Sequence, residues 1–361
     1  MNGEIIYLFM YDSGTRFTEE QLSGLLKNPE DFSKYEFKKP EPEEIATFNI
    51  PSIFNLKEET LSIANIQYKF KVQVALYPFG GFSIRIRYPM SNGTNDLIFR
   101  MTFDKEINEF IKSTVSKTKK KVSSALSKKK EISINQLSET YKFYYLEGDK
   151  AGLLQKSKKM ISGLLIDEVH AETLEPDYIE YILGKSIAYD SSNVLFVGWE
   201  SAVMIDKESV YEHELLIAEI SNLQLLEMRI YHQLLTVKLE SSSSVLNSMN
   251  PGVLRMKNAE MAKINMSLGG VYDSTRTVIN NINDTVFGLG EWYLSRVYSL
   301  FSNVFKLDVL KSSIEKDLEA IDNERKYISD IEAFWHEAFL ERIIIALIII
   351  EIILEILYLL K

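Results

Sequence analysis

The sequence predicts an α+β N-terminal body of antiparallel hairpins with helices, then long, coiled-coil-like helices, then one C-terminal transmembrane helix. Three observations predict it. Apolar and polar residues alternate with a period of two before residue 205, apolar residues take heptad spacing after residue 206, and the last residues are an almost unbroken isoleucine and leucine run.

The elements follow in chain order. Ile5 to Met10 and Ala46 to Leu56 read as strands. Val72, Val74 and Leu76 share one face of the next run. In the one after it, Phe82, Ile84, Ile86 and Tyr88 share a face and Ser83, Arg85 and Arg87 lie opposite. Tyr77-Pro78-Phe79-Gly80-Gly81 between these runs has turn composition, which makes them a hairpin. Asp104 reads as the N-cap of a helix carrying Ile107, Phe110, Ile111 and Val115. A second sheet-like block holds Lys142 to Leu146, Ile161 to Ile166, a short helix from Pro176 to Leu183, and a hairpin of Val194 to Val197 with Ala202 to Ile205.

Beyond Asp206 the apolar residues fall on helical stripes. Leu216, Ile220, Leu223, Ile230, Leu234 and Val237 step by fours and threes, interrupted by Glu227. Ser241 to Ser244 with Asn250-Pro251-Gly252 ends that helix. A second helix covers Val253 to Ile282, broken or kinked near Gly269-Gly270, and a third covers Glu291 to Phe305. A fourth, from Val309, carries Ile314, Leu318, Ile321, Ile328 and Trp335 and runs on without proline or glycine into the apolar tail. The expected domains are therefore a body of residues 1–205, divisible into lobes 1–130 and 131–205, a long-helix region of 206–340, and a membrane helix of 341–361.

Composition bounds the chemistry. The 361 residues are 46% hydrophobic, enough to fill a core, and the net charge of −10 argues against a generally nucleic-acid-binding surface. The chain has no cysteine, which excludes disulfides, thiolate zinc sites and cysteine nucleophiles. The N-terminus has no secretory signal pattern, and Gly3 follows Asn2 rather than the initiator, so the myristoylation pattern is missing. The body is expected in the cytoplasm, held at the cell membrane by a single C-terminal pass.

That pass would be Ile343 to Leu360, in which 14 of 18 residues are Ile or Leu, flanked by Arg342 and Lys361. At about 1.5 Å per residue such a helix spans roughly 27 Å. Glu351 and Glu355, four apart, share one face, and carboxylates at membrane depth face a bundle interior or a wet cavity, so the helix is expected to self-associate. The competing reading is a hydrophobic oligomerisation zipper in an assembly outside the membrane.

No constellation carries recognisable catalysis. His170, His213, His232 and His336 lack metal-ligand spacing, and no nucleophile elbow, phosphate-binding loop or dinucleotide fingerprint occurs. The expectation is no catalytic, cofactor or metal site. Lys117, Lys119, Lys120, Lys121, Lys128, Lys129 and Lys130 form a basic stretch that reads either as a solvated helix end or as a site for a polyanion such as lipid headgroups or RNA. Trp199 is expected at the core or a sheet edge, and Trp292, Tyr293 and Tyr298 between helices.

The stretch from Leu340 to Glu355, an isoleucine run followed by Glu351-Ile352-Ile353-Leu354-Glu355, resembles the ending of the required-for-meiotic-nuclear-division (YagE-like) family. Phe79-Gly80-Gly81-Phe82 resembles that family's turn, whereas Arg342 stands where a tryptophan commonly precedes the isoleucine run. The resemblance implies a membrane-tethered protein without assigned catalysis, whose eukaryotic relatives support organellar translation.

These readings converge on a membrane-anchored, self-associating scaffold that presents the α+β body to cytoplasmic partners. The partners would be membrane lipid, further copies of the chain and an unidentified protein, with nucleic acid or the ribosome as a further candidate. Two alternatives stand beside it: a membrane-bound enzyme whose acidic pocket is assembled only in the fold, and a small oligomeric channel lined by Glu351 and Glu355.

Overall fold

The computed structural model describes residues 2–14, 16–18, 21–22, 32–34, 51–63, 65–90, 104–126, 137–168, 170–208, 211–248, 258–287 and 292–359. They form two compact units. The first holds residues 1–228 and 280–308, and the second 229–279 and 309–361.

The first unit is built on one sheet. Its strands are β1 (Gly3–Asp12), β2 (Ser33–Lys34), β3 (Ser52–Asn55), β4 (Glu59–Ile63), β5 (Ile66–Leu76), β6 (Gly81–Met90), β7 (Ser138–Glu147), β8 (Ser186–Ile187), β9 (Val194–Val197) and β10 (Ser201–Asp206). They lie in the order β2-β3-β5-β6-β1-β7-β10-β9-β8, with β4 paired to β5 off this path. Only the β7–β10 pairing is parallel among them. Residues 46–50 of the expected strand Ala46–Leu56 lie outside the described residues, and its remainder supplies β3.

The alternation read in the sequence decides which side chain goes to which face. Ile5, Tyr7 and Tyr11 of β1 and Phe82, Ile84 and Ile86 of β6 join one buried cluster with helices α1 (Asp104–Leu126), α2 (Lys150–Ile166) and α3 (Pro176–Leu183). Ile6, Leu8 and Met10 are equally buried on the other face, which is covered by the first half of α4 (Glu212–Ser248) and by α6 (Trp292–Phe305). Leu215 to Leu226 of α4 is enclosed almost all round, with Glu219 on Arg85 of the sheet and Gln224 on Tyr298 of α6.

Ile161–Ile166, expected as a strand, is the end of helix α2. A short apolar run reads the same in both states, and its ends decide. Asp149 caps the helix by accepting from the Gly152 N–H at 3.2 Å, Asp167 closes it with φ 55°, and the buried Ile161, Leu164 and Leu165 keep helical spacing.

The second unit contains residues 229–248 of α4, 258–279 of α5 (Asn258–Phe287) and 309–359 of α7 (Leu307–Leu359). Leu235, Met261, Leu268, Ile314, Ile321 and Ile328 are buried in it. Polar ties flank them. His232 Nδ1 meets Asp317 at 2.7 Å, the Ser242 and Ser243 hydroxyls donate to Glu324, and Arg325 Nε donates to Asn265 at 3.1 Å. Ser241 to Ser244 thus stay helical, because carbonyls one turn back and Glu324 satisfy the hydroxyls. Helix α5 also runs on through Gly269-Gly270 without a break, with the Arg325 guanidinium against Gly269.

The expected transmembrane helix is corrected. No helix among the described residues is long and apolar enough to cross a membrane. Helix α7 runs unbroken for 53 residues, but Glu351 and Glu355 leave only Ile343 to Ile350 free of charge after Arg342. Eight residues span about 12 Å, well short of a hydrocarbon core of about 30 Å. The C-terminal anchor, the membrane localisation and the tail-anchored architecture fall with it. Leu360 lies outside the described residues.

Candidate functional site

Three features of the structure bear on function: a buried ionic clamp, a pair of buried carboxyls, and the apolar end of α7. The clamp comes first because it holds α4 on the sheet. Strand β6 points Ser83, Arg85 and Arg87 at α4, whose Glu212 and Glu219 lie seven residues, two turns, apart. Arg85 Nε and Nη2 donate to the two oxygens of Glu219 at 2.7 and 2.5 Å, and Ser83 Oγ and Tyr77 OH donate to it at 2.5 and 2.9 Å. Arg87 reaches Glu212 at 2.7 Å and Glu4 at 3.2 Å, and the Tyr211 hydroxyl donates to Glu4. Burial disfavours the Arg85 charge, but Glu219 more than offsets this and holds the guanidinium above its ordinary pKa. A slip of α4 by one residue would leave a guanidinium buried without its carboxylate, so the clamp sets register.

The carboxyl pair lies beyond it. Glu227 of α4 and Asp12 at the end of β1 are both buried. Burial, reinforced by the charge of Asp12, pushes the Glu227 pKa up to about 8. Burial also raises Asp12, while the Gly14 N–H donating to it at 2.9 Å acts the other way. A pocket-type active site would bring such groups into an open cleft. The cleft of about 480 Å³ beside β7 is lined by other charges, Lys112, Glu139, Lys142, Asp167 and Glu200, and not by Asp12 or Glu227. Among the described residues no group of three or more His, Asp or Glu could hold a metal ion.

The basic stretch is only partly described. Lys117, Lys119, Lys120 and Lys121 fall on α1, whereas Lys128, Lys129 and Lys130 lie outside the described residues. Lys119 is turned inward, its ammonium 4.3 Å above the Tyr11 ring, and burial lowers its pKa. Lys117, Lys120 and Lys121 share one exposed face at helical spacing. Tyr298 packs between helices as expected, its OH donating to Gln224 at 2.8 Å, whereas Tyr293 is buried against Tyr189 beyond β8 and Trp292 is 67% exposed.

The end of α7 repeats the geometry of its beginning. Ile314, Leu318, Ile321 and Ile328 form its buried seam. Continued by threes and fours, that seam reaches Trp335, Phe339, Ala346, Ile349, Ile353 and Ile356. Ile349, Ile353 and Ile356 are 52%, 50% and 51% exposed. In this register Ile314, Ile321, Ile328, Trp335, Ile349 and Ile356 take heptad position d, and Leu318, Phe339, Ala346 and Ile353 take position a, with the polar Arg325 and Glu332 at the two a positions between Leu318 and Phe339. Glu337 and Glu351 then fall at f, and Glu341 and Glu355 at c, all on the side away from the seam. Arg342 takes a d position and Ile343 an e position, both exposed. Sequence reading placed the two glutamates on one face, and the heptad period of α7 assigns them to positions f and c. The signal was the seven-residue period across Arg342, obscured by isoleucine on the intervening positions.

The α+β body is also what known proteins share with this chain. A family profile described as "Uncharacterized protein MJ0711, N-terminal domain" matches residues 2–212, more than half of the chain. The chain belongs to that family. The Uncharacterized protein MJ0711 of Methanocaldococcus jannaschii is 22% identical to it over 236 residues, which is 64% of this chain and 70% of that protein. No solved structure matches. The MJ0711 match corrects the resemblance to the required-for-meiotic-nuclear-division (YagE-like) family. The Leu340–Glu355 motif behind that resemblance lies outside residues 2–212, which the family profile matches.

Proposed function

We propose that the chain is a self-associating scaffold, in which the C-terminal part of α7 assembles copies of the chain into a helical bundle and the MJ0711-type body is displayed for partner proteins. The observation that carries this reading is the continuity of the α7 seam. The same stripe that is buried from Ile314 to Ile328 runs on, in register, to positions where it is half exposed. A second copy of the same helix is the surface whose period matches it.

The composition of the segment favours three or more strands over two. Isoleucine occupies both a (Ile353) and d (Ile349, Ile356), and Ile350, Ile345 and Ile352 make the flanking e and g positions apolar too. From Ile343 to Ile356 the only charges, Glu351 and Glu355, fall at f and c, while Arg342 interrupts the seam at a d position just before them. Burying the exposed half of each such side chain contributes about 1 kcal/mol.

Sedimentation velocity on the full chain tests the reading. A defined oligomer is expected, with Ile349→Lys plus Ile353→Lys reducing it to a monomer and Glu351→Lys leaving it intact. A monomeric parent chain, or a seam variant that assembles normally, would overturn it.

A further inference from the structure

The two-residue edge strand β8 and helix α6 enclose a cleft of about 460 Å³. Trp292, at the start of α6, stands at its mouth with most of its ring in solvent, and Arg296 places its Cζ 4.9 Å from the centre of that ring. Among the described residues no carboxylate pairs with Arg296, and α6 contains no acidic residue. Ser186, Ser299 and Asn303 add neutral hydrogen-bonding groups to the lining.

The same edge carries further rings. Tyr189, just beyond β8, is mostly exposed and stands edge-on to Tyr293 at 5.2 Å and 76°. Lys185, just before β8, holds its ammonium 4.8 Å above Tyr181, itself exposed. Exposed aromatic rings with cations held on them are what unstacked bases and their phosphates need. Every base offers a π-face, and each cation is kept close to where the backbone would run.

We propose that this edge binds single-stranded nucleic acid, with bases stacked on Trp292 and Tyr189 and phosphates against Arg296 and Lys185. A duplex keeps its base faces hidden and gains nothing from the rings. A free nucleotide would fill the cleft but leave Tyr181 and Lys185 unused. A proline-rich peptide would use the rings but not the cations. With a net charge of −10, attraction for a polyanion has to come from local cations such as Arg296 and Lys185.

The test is fluorescence anisotropy of a labelled oligouridylate of about a dozen residues, spanning the usual site sizes, with the full chain at several salt concentrations. Binding is expected with a slope of log K against log salt near roughly −1.4, two phosphates at about −0.7 each. Trp292→Ala should weaken it by about tenfold or more, from the loss of one stacked base, while Trp292→Phe keeps most of the affinity. Arg296→Gln should flatten the slope by about 0.7, and Lys263→Gln, in the other unit, should change nothing. The proposal is overturned by absence of binding, by equal affinity for a duplex, or by displacement with uridine triphosphate or oligoproline at strand-like concentrations. It is overturned too if Lys117→Gln with Lys120→Gln abolishes binding and Trp292→Ala does not.

Discussion

Replacing Glu219 by leucine removes one carboxylate and strands four donors. In the native fold its two oxygens take Arg85 Nε and Nη2, Ser83 Oγ and Tyr77 OH, all within 2.9 Å, and Glu219 and Arg85 are 0% and 1% exposed. The variant leaves a guanidinium in the interior with only the more distant Glu212, 4.0 Å from Nη1, to balance it. Breaking a buried pair in this way costs about 3–5 kcal/mol, and for a unit of this size that lowers the melting temperature by about 6–20 °C, at 2–4 °C per kcal/mol. The cost belongs to the stranded charge and not to the lost pair. Arg85→Met added to Glu219→Leu should therefore recover most of it, since apolar replacement of both partners is close to neutral. Urea titration followed by far-UV circular dichroism and tryptophan fluorescence reads the effect, with Trp199 and Trp292 reporting the first unit and Trp335 the second. A Glu219→Leu variant within about 1 kcal/mol of the parent chain, or a double variant worse than the single one, would refute the reasoning.

Three further predictions concern single residues. With the folded pKa of Glu227 near 8 and an ordinary value in the unfolded chain, folding takes up a proton in between. That contribution is fully present below pH about 4.5 and is lost as pH rises through 8, at up to about 1.4 kcal/mol per unit. Glu227→Gln should thus flatten the fall in urea midpoint over this window and stabilise the chain above pH 8, and an unchanged pH profile would contradict the buried acid. Gly198→Ala would bring a Cβ to 2.6 Å from the Leu165 carbonyl oxygen in the β9–β10 turn, and a loss of about 1–3 kcal/mol is expected by thermal denaturation. Gly270 has nothing within 4 Å of an added Cβ and lies inside a continuous helix, so Gly270→Ala should stabilise the second unit by about 0.5–1 kcal/mol. A loss there would restore the kink that the sequence predicted.

Local pattern settled several elements without tertiary information. Strand alternation set the faces of β5 and β6, turn residues placed the hairpin at Tyr77 to Gly81, and Pro176 and Val194 mark the starts of α3 and β9. Those features depend only on neighbours within one or two turns. The tertiary structure decided the rest. Arg85 and Arg87 were legible only as lying opposite Phe82, Ile84 and Ile86, and that face is interior because α4 lays Glu212 and Glu219 across it from 125 to 134 residues away. Ile161 to Ile166 is a helix because Asp149 and Asp167 cap its ends, a choice an apolar run cannot make by itself. Glu351 and Glu355 were legible as sharing a face, but which face follows only from the buried seam of α7 further up the same helix. Trp292, expected between helices, stands in solvent because Tyr293, one residue on, takes the inward direction on α6. Sequence fixes the period of each element, and only packing says which phase of that period meets another surface.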